Sequence, residues 1–189
     1  DHGNMNGFSH QFLHWQKMKA EGKEFKPIFG VEAYFLPSID KWRDDYNRIK
    51  EDAKLAKTLA KEGNTSGATV EDEEASKKAV KNILNRRRHL VLLAQNQTGL
   101  NNLFKLISES YKEENFYRYP RVDYKLLDKY SEGVIASSAC LGGPYAGNYW
   151  ANREEGPEAV MDAMRETSRR FVEIFGDRWY GELQWNNIP

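Results

Sequence analysis

Apolar positions recur along the chain at two alternating spacings, and their order predicts helices interleaved with short strands. Phe8, Phe12, Trp15 and Met18 share one face of a helix over residues 7–21, which Gly22 closes. This stripe reads as core. The run from Lys26 to Phe35 is short and apolar and is ended by Pro37, as a buried strand would be, yet it contains Glu32. His89 precedes a second strand, Leu90 to Ala94. Residues 97–111 then place Leu100, Leu103, Phe104, Ile107 and Tyr111 on one helical face. A short helix ends at Tyr130, a third strand runs from Gly133 to Cys140, and a helix over 156–175 turns Val160, Met164, Phe171, Val172 and Phe175 inward. Trp179 to Trp185 reads as a fourth strand. Short apolar strands separated by helices point to a parallel α/β arrangement.

Residues 38–88 differ in character. Trp42, Tyr46, Ile49, Leu55 and Leu59 form a partial helical stripe in a highly charged stretch, followed by a turn at 63–67. Acidic residues at 71–74 and basic residues from Lys77 to Arg88 complement a helix dipole, so 71–86 is expected to be a second helix. The pair reads as a helical hairpin inserted between two strands of one domain spanning 1–189.

Composition narrows the classes. Twenty-eight basic residues balance twenty-eight acidic ones, which argues against an autonomous nucleic-acid binder but not against an enzyme whose basic surfaces lie on other domains. A single cysteine excludes an internal disulfide. No apolar run approaches the about 20 residues that span a bilayer, so the expectation is a soluble, cytoplasmic protein without membrane contact. The chain opens on Asp1-His2-Gly3-Asn4 and stops at Asn187-Ile188-Pro189. It is expected to be cut from something longer.

Metal-type ligands recur singly at the boundaries of the expected strands. His2 precedes a helix, Glu32 interrupts a buried strand, His89 stands before one strand and Cys140 follows another. In α/β folds such positions converge in space, and carboxylate, imidazole and thiolate together suit zinc, with manganese or iron as alternatives. Ordinary readings stand beside this one: Glu32 paired with a lysine, His89 capping its strand, Cys140 a small buried hydrophobe. His10 and His14, four apart on the first helix, offer a separate pair but have no acidic third ligand nearby.

Several motifs in collinear order resemble the polymerase-and-histidinol-phosphatase (PHP) domain of bacterial DNA polymerase III alpha subunits. They are Asp1-His2-Gly3-Asn4, Gly30-Val31-Glu32-Ala33-Tyr34, His89 to Ala94, Gly99-Leu100-Asn101-Asn102-Leu103, Phe116 to Asp123, Glu132 to Ala136, Cys140-Leu141-Gly142-Gly143 and Gly181-Glu182-Leu183-Gln184. The helical insertion resembles that of phage-encoded versions. The resemblance implies a partial, distorted (β/α)7 TIM-like barrel carrying up to three divalent metal ions. It puts His2, Glu32, His89 and Cys140 on ligand positions and leaves His10 and His14 on none. The family's opening His-x-His pair and closing Asp-x-His pair have no counterpart here, and Trp185-Asn186-Asn187 stands where many relatives have a histidine-containing turn.

The implied activity is that of a replicative polymerase fragment whose metals activate water and neutralise charge at a phosphoester, as in 3′–5′ exonuclease proofreading. Implied partners are the remainder of the polymerase chain, DNA, and a replisome clamp or proofreading subunit. An inactive scaffold domain is one alternative. A free-standing PHP phosphatase is another, disfavoured by the stretches around Tyr117-Pro120-Arg121 and Cys140 to Gly143.

Overall fold

A computed structural model describes residues 1–61 and 70–185. The turn expected at 63–67 and the last four residues lie outside the described residues. The chain divides into two compact units, one formed by residues 1–37 together with the chain from Arg88 onward, the other by residues 38–87.

The first unit holds helix α1 (Phe8–Ala20), strand β1 (Gly30–Phe35), β2 (Arg88–Ala94), α4 (Gln97–Ser110), the small hairpin β3–β4 (Phe116–Tyr117, Tyr119–Pro120), α5 (Tyr124–Lys129), β5 (Val134–Ser137), α6 (Pro144–Asn152), α7 (Pro157–Phe175) and β6 (Trp179–Tyr180); the second unit contributes α2 (Ile39–Lys61) and α3 (Val70–Asn85). The main sheet runs in the order β1-β2-β5-β6.

The expectation of a parallel sheet is corrected. β1 and β2 pair antiparallel from Gly30↔Leu93 to Phe35↔Arg88, β2 and β5 pair antiparallel, and only β5 and β6 are parallel. Burial shows why this arrangement is stable. Val31, Ala33 and Phe35 on β1, Leu90 and Leu92 on β2, and Val134 and Ala136 on β5 are buried in one core. The residues between them, such as Glu32, Tyr34, His89 and Val91, are half-buried. A sheet packed on one face and open on the other suits antiparallel pairing, whereas parallel sheets have both faces covered. The apolar runs alone do not reveal strand direction.

The core is closed by Leu103 and Leu106 of α4, Leu127 of α5, and Phe171 and Phe175 of α7. Phe171 stacks on Trp179 at a ring-centroid distance of 4.1 Å and meets Phe35 at 5.1 Å. Three expected faces are rotated or shortened. On α4, Leu106 is buried while Phe104, and Tyr111 just after the helix, stay exposed; on α7, Val172 points outward; and the strand expected over 179–185 pairs only at Trp179 and Tyr180, leaving Leu183 and Trp185 exposed. The α1 stripe of Phe8, Phe12, Trp15 and Met18 is a single face as expected, but it reaches only partial burial. It forms an aromatic cluster in which Phe8 meets Phe29 at 4.8 Å and Phe104 at 5.0 Å.

Arg121 is fully buried, and its guanidinium donates to the carbonyls of Tyr117 (2.6 Å) and Tyr119 (3.2 Å) on either side of Arg118, which holds a left-handed φ of 63°. A buried cation that saturates turn carbonyls offsets part of its desolvation cost.

In the second unit, Trp42 stacks on Tyr46 at 5.6 Å and donates its indole N–H to the carbonyl of Ile83, a fully buried residue of α3, at 2.8 Å. Leu55 and Leu59, at the far end of the expected stripe, are exposed.

The start of α4 depends on a close backbone approach. Asn96 caps the helix by accepting from the N–H of Gly99 at 2.9 Å, and a Cβ on Gly99 would lie 1.7 Å from the carbonyl oxygen of Gly133. Alanine favours helices over glycine by about 1 kcal/mol, but overpacking of this kind typically costs about 1–3 kcal/mol. Gly99→Ala is therefore expected to lower the urea midpoint. An unchanged or higher midpoint would show that the Gly133 turn yields freely.

Candidate metal centre

The site lies on the face of the sheet that the core does not use. Glu32 pairs with Val91 and Tyr34 with His89 across the β1–β2 ladder. Glu32 and His89 are therefore diagonal neighbours on one face, within reach of each other. The backbone of Asp1 to Gly3 runs beside β1: Glu32 N–H donates to the Asp1 carbonyl (3.0 Å), Gly3 N–H donates to the Glu32 carbonyl (2.8 Å), and His2 forms a parallel bridge with Glu32. Gly3 sits at φ 69° against the ring of Tyr34. The Asp1 carboxylate accepts from Gly7 N–H at 2.6 Å, fastening this strip to the start of α1. Cys140 arrives from the loop after β5, preceded by Ala139 in a left-handed conformation (φ 55°).

The four expected donors stand in a chain of close approaches. Nδ1 of His2 lies 3.2 Å and Nδ1 of His89 3.0 Å from the same Glu32 oxygen, Oε1. Cys140 Sγ lies 3.5 Å from His89 Nδ1 and accepts from Gly142 N–H at 3.3 Å. Two positions differ from expectation: His89 is inside β2 rather than before it, and Cys140 follows the last residue of β5 by three positions. His10 and His14 are both exposed on α1.

Glu32 Oε1 is the unusual atom. It is buried, and although two imidazole nitrogens are close, neither approach has hydrogen-bond geometry. A cation among these donors would satisfy it. Donors around one tetrahedral zinc ion, at about 2.0–2.3 Å each, stand roughly 3.3–3.8 Å apart; the separations of 3.0 to 3.5 Å here fall a few tenths short of or within that range. The nitrogen, oxygen and sulfur set suits a divalent ion in the kind of its donors. In their present positions, however, no group of three or more His, Cys, Asp or Glu among the described residues could hold a metal ion.

Sequence reasoning quoted Glu182 in a motif and ran its third strand through Ser137 and Ser138, but gave none of the three a role. Ser137, on the same sheet face as Val91, donates its hydroxyl to Glu182 Oε2 at 2.7 Å, while Glu182 N–H donates to Ser138 Oγ at 2.8 Å. Hydrogen bonds from Gln184 and then Ser137 hold the Glu182 carboxyl below its usual range. Cys140 is exposed and lines a cavity of about 430 Å³ with Leu141, Tyr149, Trp150, Met164 and Glu182. The signal that was available is the Ser137-Ser138 pair at the end of a strand, where polar side chains are free to hold the next loop.

The family model of the PHP domain matches residues 1–186. The DNA polymerase III subunit alpha of Aquifex aeolicus is 38% identical over 190 residues, those of Borreliella burgdorferi and Deinococcus radiodurans 36% and 32%. Each alignment covers the whole of this chain but only 11–13% of the relative, so the chain spans about an eighth of the length of the polymerase subunits it matches. With the family model matched over residues 1–186, nearly the whole of this sequence, the chain belongs to the PHP domain family.

Proposed function

We propose that this chain is the PHP portion of a DNA polymerase III alpha-type replicative polymerase, and that His2, Glu32, His89 and Cys140 hold a divalent metal ion used in phosphoester hydrolysis of the 3′–5′ exonuclease type. The observation that carries the reading is the buried Glu32 Oε1, approached by two imidazoles yet hydrogen-bonded by neither. Zinc fits the mixed donor set best, and manganese or iron are the alternatives. When bound, such an ion supplies Lewis acidity toward a phosphoryl oxygen and lowers the pKa of water. The chain's own part is to orient: β1 and β2 fix Glu32 and His89 diagonally, the Asp1–Gly3 strip brings His2 alongside, and the loop after β5 presents the thiol. In this reading the sheet continues into a distorted PHP-type barrel in the full-length protein, residues 38–88 are a helical insertion, and the remaining chain supplies further ligands, the polymerase centre and the DNA contacts.

A second reading has its own support. The donors touch one another in pairs without forming a ready cage, as expected of a scaffold domain whose metal site is residual. Metal binding separates the two. Equilibrium dialysis against zinc is expected to show measurable but weak binding, reduced at least about tenfold by Glu32→Gln or His89→Ala. Zinc is also expected to slow alkylation of Cys140, the single thiol. Affinity indifferent to both substitutions would exclude the site.

For activity, the full-length polymerase is the proper subject. Release of 3′-terminal nucleotides from a primer is expected to fall at least about a hundredfold on His89→Ala, with primer extension retained. Undiminished release would leave the scaffold reading.

A further inference from the structure

The loop that delivers Cys140 also places a residue without a side chain against two of the four donors. Gly142 accepts from the backbone N–H of His89 at 2.9 Å and donates its own N–H to Cys140 Sγ at 3.3 Å. A Cβ on Gly142 would stand 2.8 Å from His89 Nδ1, 2.9 Å from Cε1 and 3.1 Å from Cγ. All three atoms belong to the imidazole, and Nδ1 is the nitrogen shared between Glu32 and Cys140. Tyr34 is the other aromatic neighbour of that imidazole, its ring centroid 6.3 Å away. The backbone of Gly142 lies outside the left-handed region, so conformational freedom is not what the position requires. It requires room.

We infer that Gly142 is a positioning residue of the centre: its bare Cα lets the His89 ring lie where Nδ1 faces Glu32 and Cys140, and its two backbone hydrogen bonds tie the histidine strand to the cysteine loop. The inference rests on the metal-binding reading above. A hydrogen bond to the sulfur of a ligand restrains where the thiolate sits, and partners of this kind are worth about tenfold to a hundredfold in metal affinity. Adding a methyl group at Gly142 displaces the ring while leaving both backbone hydrogen-bonding groups in place.

The test uses the 189-residue chain. Gly142→Ala is expected to weaken zinc binding by about tenfold to a hundredfold and to shift the thiolate-to-metal absorption of the cobalt-substituted form. Leu141→Ala, at the neighbouring exposed side chain, is expected to change neither. A double-mutant cycle then asks whether Gly142 acts through the ring. In a His89→Ala background there is no imidazole to displace, so Gly142→Ala is expected to cause no further loss of zinc affinity. In the metal-free chain its effect on the urea midpoint is expected to vanish as well. A Gly142→Ala chain that folds only when His89→Ala is added supports the same conclusion. Unchanged zinc affinity, or equal penalties in the two backgrounds, overturns the inference. A parent chain that binds no zinc would refute the metal-binding reading instead, and the metal-free cycle would still decide whether Gly142 sets the position of His89.

Discussion

The structure depends on the one-residue alternation of β1 and β2 and on the register that locks them together. Val31, Ala33 and Phe35 face the core with Leu90 and Leu92, so Glu32, Tyr34 and His89 must face the other way. A slip of one residue would bury Glu32 among phenylalanines and leucines and expose the core side chains in exchange. The burial energy that holds the sheet on α4 and α7 is thus the same energy that gathers the metal-type residues on the opposite face. No separate device is needed to bring Glu32 and His89 together. Hydrophobic packing does it through the pleat.

What the pleat does not provide is a hydrogen-bond donor for Glu32 Oε1. His2 and His89 are brought close by backbone pairing, the first through the Asp1–Gly3 strip and the second through the ladder, and their directions follow from that pairing. Two imidazoles thus stand near a carboxylate oxygen without hydrogen-bonding it, and a thiol lies 3.5 Å from the second.

Much of this was legible from residue spacing, and the gaps have physical causes. Helices α1, α4 and α7 announced themselves because their apolar residues recur at helical intervals. Which members of each stripe are buried depended on neighbours that periodicity does not name: Phe104 turned toward the half-buried aromatic cluster of α1, whereas Leu106 took the core. Strand direction was not legible, since an apolar run such as Leu90 to Ala94 reads the same in either sense. Glu32 looked anomalous within an apolar run only because the alternation had not yet been assigned; on its own face it neighbours Tyr34 and His89. The loop around Gly142 was quoted as a motif without a role, because the role lies in a contact with a residue more than fifty positions earlier.

The register of β1 and β2 has a consequence for the chain between them. Phe35 and Arg88 are ladder partners, so the backbone leaves one strand and re-enters the next about 5 Å away. Residues 38–87, a compact unit of their own, therefore occupy the place of a hairpin turn. The entropy of closing such an excursion grows only logarithmically, by about 0.6 kcal/mol per doubling of length. Once the excursion is tens of residues long, lengthening it further therefore adds little to the cost of closing it. Length at this point is nearly free to vary while the ladder on which Glu32 and His89 ride keeps its alignment.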